Sequence, residues 1–114
     1  MNLKTSTRLV DGVVIVDIVG ELRLGDGTGI LREVVRELAG KGYVQILLNL
    51  ASVRHIDSAG VGELMSCFTS IRNQGGHLKL MNLNKNVHNL LQITKLYTVF
   101  EVEEDEAAAV KSFQ

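Results

Sequence analysis

The chain has 114 residues, 46% of them hydrophobic and 22% charged, the balance of an ordinary soluble globular domain. Twelve Lys+Arg against 13 Asp+Glu leave a net charge of −1, so there is no basic excess to collect phosphate backbones, and direct nucleic-acid binding is not expected. The single Cys excludes an internal disulfide framework and a Cys-rich zinc site. No apolar run approaches the ~18 residues that cross a bilayer, and MNLKTSTRLV lacks the apolar centre of a secretion signal. The expectation is one domain over residues 1–114, cytoplasmic and without membrane insertion.

In chain order, the mixed segment LKTSTRLV and the β-branched VVIVDIV flank Asp11-Gly12, which reads as a hairpin of an edge strand and an interior strand. A glycine-rich loop, GELRLGDGTG, spans 20–29. Ile30, Leu31, Val34, Val35 and Leu38 then recur at helical spacing, with Asp26 or Thr28 as the expected cap and Gly40 and Gly42 as the stop. VQILLNL, 44–50, is a short central strand, followed by a polar loop. The next helix is expected from Ser58 to Asn73, with Val61, Leu64, Met65, Phe68 and Ile71 on its apolar stripe. His77–Met81 alternates as a strand, and Asn84 caps a short helix carrying Val87, Leu90 and Leu91. Val99–Val102 is a last strand and Glu104–Phe113 a last helix. The acidic run EVEEDE, 101–106, reads as the first turn of that helix, where carboxylates favour the positive end of the helix dipole. The order β-β-α-β-α-β-α-β-α implies an α/β domain with a mixed sheet of four to five strands flanked by about four helices.

The stretch NLASVRHIDSAGVGEL, 49–64, carries the chemistry. Asp57 is a strong helix cap, because its carboxylate accepts from the orphan N–H groups of the first turn. Ser58 then takes the first helical position with its hydroxyl outward, and Ala59 and Gly60 leave room for a large partner. The strand, the Ile-Asp-Ser-Ala-Gly-Val-Gly segment and the amphipathic helix resemble the anti-sigma factor antagonists, small proteins built on the STAS domain. Gly20-Glu21-Leu22 and Gly75-Gly76-His77-Leu78-Lys79-Leu80 are also similar to that family's pattern.

The resemblance implies a regulator that is not an enzyme and has no cofactor. In that family the serine matching Ser58 is phosphorylated by an anti-sigma factor that is also a serine kinase. The unphosphorylated protein binds that factor and frees the sigma factor, and a phosphatase reverses the modification. Ser58, Ala59, Gly60, Val61, Gly62, Glu21, Arg23 and Asp26 are the expected partner-binding residues, with Asp57 supporting the site. Family members often carry Asp where this chain has Arg23, and Asp26 is the candidate to take over its role. Whether the chain forms a homodimer is left open.

Four other readings compete. Asp57-Ser58-Ala59-Gly60 has Ile56 where a hydrolase nucleophile elbow needs Gly. Gly25-Asp26-Gly27-Thr28-Gly29 precedes a helix, as in a nucleotide-binding module near Ser58, but Ile30 stands where the dinucleotide fingerprint needs Gly. His55, His77 and His88 lack the spacing of metal ligands, and Cys67, on the flank of an apolar stripe, reads as a packed thiol. A STAS-like docking module without phospho-switching is the alternative closest to the favoured reading.

Overall fold

A computed structural model describes residues 3–114, so residues 1 and 2 of the expected domain lie outside it. β1 (Lys4–Val10) and β2 (Val13–Leu22) form the hairpin; α1 (Asp26–Gly40), β3 (Gln45–Ile56), α2 (Ser58–Asn73), β4 (His77–Met81) and α3 (Lys85–Ile93) follow. A 3₁₀ turn at Leu96–Thr98, which the sequence reading lacks, leads to β5 (Val102–Glu103) and α4 (Glu106–Lys111). The five strands lie in the order β1-β2-β3-β4-β5, with β1 antiparallel to β2 and all other neighbours parallel. The α/β class, the mixed sheet and the element order are those expected from the sequence.

Local chemistry sets each element. The hairpin closes through Asp11 at φ 50° and Gly12 at φ 83°, the pair of positive angles that a two-residue turn needs to match strand twist. Alternate residues of β2 then serve two cores. Val14, Val16 and Ile18 join Ile46, Leu48, Leu64 and Leu91 beneath α1, α2 and α3. Val13 and Ile15 join Leu47, Met81, Ala109 and Val110 beneath α4. This double burial is why VVIV is apolar on both faces. α4 is short, and past its end the second face turns polar. There the Arg8 guanidinium donates to both oxygens of Asp17, and Asn49 Nδ2 donates to Asp17 Oδ1 at 2.8 Å. That guanidinium also reaches Glu106 at 2.8 Å, tying α4 to the edge strand.

Several boundaries differ from expectation, among them the last helix, which is Glu106–Lys111 and not Glu104–Phe113. β3 continues through Ile56 rather than ending near Leu50, because β2 also runs on to Leu22 and the two pair to their tips, Leu22 opposite Ile56. The register shifts in that pairing, between Asp17 and Val19 and again between Gly20 and Glu21, break the strand alternation there, so 51–56 reads as a loop. The last strand begins at Val102, not Val99. The acidic run is divided: Glu101 pairs with the buried Lys79 at 2.8 Å, Asp105 caps α4 by accepting from Ala108 N, and only Glu106 is in the first turn.

Candidate functional site

β2, β3 and β4 run parallel, so the loops that lead into α1, α2 and α3 gather at one end of the sheet. Ser58 is the first residue of α2, is exposed, and its hydroxyl makes no hydrogen bond among the described residues. A nucleophilic oxygen therefore stands at a helix N-terminus facing solvent.

Asp57 builds the surroundings. In extended backbone, φ −117°, it is the N-cap of α2, and Oδ1 accepts from Gly60 N at 2.8 Å. Oδ2 accepts from Leu24 N at 3.2 Å, and Asp57 N donates to Leu22 O at 3.4 Å. One carboxylate thus fastens the start of α2 to the loop after β2. Burial pushes the Asp57 carboxyl up, but the backbone N–H groups of Gly60, Leu24 and Ala59 outweigh it, and the group lies below its ordinary value. A carboxyl depressed on folding stabilises the fold above its unfolded pKa of about 3.9, and that contribution is lost as pH falls through the folded value. Asp57→Ala should cost about 1–2 kcal/mol near neutral pH. In urea titrations the gap between wild type and variant should narrow below about pH 4; a gap independent of pH would contradict the capping role.

The expected partner-binding residues divide by exposure. Ser58 and Gly62 are exposed, as are Arg23 and Asp26, and Ala59 is half-buried. Val61 is only 2% exposed and belongs to the core, so it has almost no surface to offer. Gly60 is buried too. The expectation that it keeps the approach clear is corrected: it lets α2 close onto β2, since a Cβ there would collide with the Leu22 carbonyl. Glu21, its side chain 18% exposed, lies 3.8 Å from Arg23 and 4.0 Å from His55 Nε2. Neither Asp26 nor Thr28 caps α1: Gly25 holds the cap position at φ 105°, and Thr28 Oγ1 donates back to Gly25 O at 3.0 Å.

Elsewhere the candidates scatter. His55 is on β3, His77 faces Gln45 at 3.0 Å, and His88 packs edge-on against Tyr97. Among the described residues no group of three His, Cys, Asp or Glu side chains is placed to hold a metal. Cys67 is buried against Glu63 Oε2, and burial pushes its thiol up to about 12. No helix among the described residues is long and apolar enough to cross a membrane. Leu24 lies within the 20–29 loop, itself a weaker expectation for the partner's footprint, and is exposed there.

A mixed five-stranded sheet whose parallel strands feed three helices, with an exposed serine starting the second, defines a small single-sheet α/β domain. The sequence profile of the STAS domain matches residues 4–109. The chain belongs to that family and, within it, stands with the anti-sigma factor antagonists. It is 29% identical over 111 residues to the anti-sigma-B factor antagonist of Bacillus subtilis, covering 97% of this chain and 100% of the relative. A Thermotoga maritima crystal structure superposes with a TM-score of 0.88 at 28% identity, over 96% of this chain and 93% of the other. The Bacillus cell fate determinant SpoIIAA, solved in its phosphorylated form, shares the fold at 19% identity with a TM-score of 0.73, over 97% of this chain and 100% of that one.

Proposed function

We propose that this chain is an anti-sigma factor antagonist whose binding is switched at Ser58. The unphosphorylated form captures an anti-sigma factor with serine-kinase activity in the cytoplasm and so frees a sigma factor. Phosphorylation of Ser58 ends the capture, a phosphatase restores it, and the chain acts with no cofactor of its own. The observation that carries this reading is the exposed Ser58 hydroxyl, without a hydrogen-bond partner among the described residues, on the first residue of α2.

The physics supports the switch. A phosphoserine adds about −1.5 to −2 charges at pH 7. A helix N-terminus tolerates an anion, because its dipole and free N–H groups favour negative charge. The domain stays folded while its surface there becomes strongly negative. SpoIIAA supports this in fold alone, being solved in both unphosphorylated and phosphorylated forms.

The test uses the serine-kinase anti-sigma factors of the source cell, each purified and incubated with this chain and Mg-ATP, followed by mass mapping of phosphate. Modification confined to Ser58 and absent from Ser58→Ala is the expected result. A kinase that binds the chain tightly but leaves Ser58 unmodified would favour the docking-module alternative instead.

A further inference from the structure

β1 is the outermost strand of the sheet, and among the described residues β2 is its only strand neighbour. Its outer side lacks the devices that keep an edge from pairing. The register from Lys4 opposite Val19 to Val10 opposite Val13 runs without a shift, so no bulge turns the edge away. The strand holds no Pro. Of its two cations, Lys4 lies at the strand's start, and the Arg8 guanidinium is drawn onto Asp17 at 2.6 Å and Glu106 at 2.8 Å. The opposite edge of the sheet is blunted by contrast, since β5 has two residues.

The hairpin fixes which backbone groups of β1 are free. A two-residue turn leaves its flanking residues, Val10 and Val13, as a hydrogen-bonded pair, and an antiparallel ladder alternates from there. Lys4, Ser6, Arg8 and Val10 therefore turn their N–H and C=O groups toward β2. Those of Thr5, Thr7 and Leu9 turn outward, where no described strand meets them. The side chains of these three share a face with Ile18, Val16 and Val14, which they pair opposite, and Leu9 is 61% exposed there.

We propose that β1 pairs antiparallel with β1 of a second copy about a two-fold axis at Thr7, joining two sheets into one. In this register Thr7 lies opposite Thr7, Thr5 opposite Leu9, Ser6 opposite Arg8 and Lys4 opposite Val10 of the second copy. Every outward residue of each strand then meets an outward residue of the other; sliding by two leaves Thr5 or Leu9 of each strand unmet within β1. No like charges face each other directly, and Thr5 of the second copy covers Leu9, giving it the burial it lacks in one chain. The strand is thus complementary to itself, which selects a second copy as the occupant of this edge. The inference goes beyond the Ser58 reading and does not depend on it, because no residue of β1 belongs to that site. Two paired edge strands make an interface at the small end of the specific range, so the dimer is a weak one, with a dissociation constant on the order of 50 µM.

Sedimentation equilibrium of the purified chain tests this. The weight-average mass should rise from near 12.5 kDa at about 5 µM toward twice that at about 500 µM. Amide exchange followed by NMR over the same range should slow about fivefold at Thr5, Thr7 and Leu9, while Ser6 and Arg8, already bonded to β2, keep the same rates at both concentrations. Thr7→Lys sets two ammonium groups against each other across the axis and should weaken association at least tenfold. Its melting temperature should stay at the wild-type value, because Thr7 is exposed in the single chain. Thr7→Val keeps the backbone and the neutral pair and should associate within about threefold of wild type. A wild-type chain that stays monomeric at about 500 µM would overturn the proposal. So would a dimer that Thr7→Lys leaves as tight as wild type, or one whose added protection falls outside Thr5, Thr7 and Leu9.

Discussion

Phosphorylated Ser58 should bind the anti-sigma partner several hundredfold more weakly than Ser58→Ala, a loss of about 3–4 kcal/mol. The size follows from where the charge arrives. Asp57 is already ionised beside Ser58, kept so by the backbone N–H groups it accepts, and it cannot shed its charge near neutral pH to make room for a second anion. Gly60 N is already taken by Asp57 Oδ1, so the added phosphate shares the remaining donors of the first turn and keeps much of its charge toward the partner. An interface fitted to a neutral hydroxyl then meets bulk, like charge and the cost of desolvating a dianion. Ser58→Asp carries less charge and fewer oxygens than the phosphate and should fall between the two. All forms should melt within a few degrees of wild type, because an exposed anion at a helix start changes stability by only about 0.3–1 kcal/mol. Titration calorimetry with the purified kinase at low and moderate salt checks this. Equal affinity for the phosphorylated chain and Ser58→Ala, both folded, would remove the switch from the account.

What made Ser58 readable in the sequence was local. Asp before Ser at the head of an apolar helical stripe is a capping signal, and Asp57 accepts from Gly60 N as that signal requires. The same holds for Asn84, which accepts from Val87 N at the start of α3. What stayed hidden was non-local. Nothing near Gly60 in sequence reveals that Leu22, from another strand, packs against it. The extension of β3 was unreadable for the same reason, since Val53 and Ile56 gain their strand partners only through the tip of β2. Glu21, expected in the partner's footprint, pairs opposite His55 on β3 and lies near Arg23 as well. Val61 marks a further limit. Its place on the apolar stripe of α2 already argued for the core, and the motif around Ser58 drew it into the expected footprint against that periodicity.

Gly60→Ala should destabilise the fold by roughly 3 kcal/mol, while Gly62→Ala, two residues on in the same helix, should stabilise it by about 0.5–1 kcal/mol. The two glycines share a helix and differ in what lies beside them. A Cβ at Gly60 would fall onto the Leu22 carbonyl and come 2.9 Å from Ile56 Cγ1. Leu22 O cannot give way freely, because it also accepts from Asp57 N, and its strand is paired to the tip of β3. A Cβ at Gly62 meets nothing within 4 Å, so only the gain in helix propensity remains. The melting temperature of Gly60→Ala should fall by on the order of 10 °C, with a lower urea midpoint. The displacement of α2 that makes room for the methyl would also shift Ser58, so phosphorylation of this variant should slow even where it remains folded. Were Gly60→Ala as stable as Gly62→Ala, the close packing of α2 on β2 would not be what positions the serine.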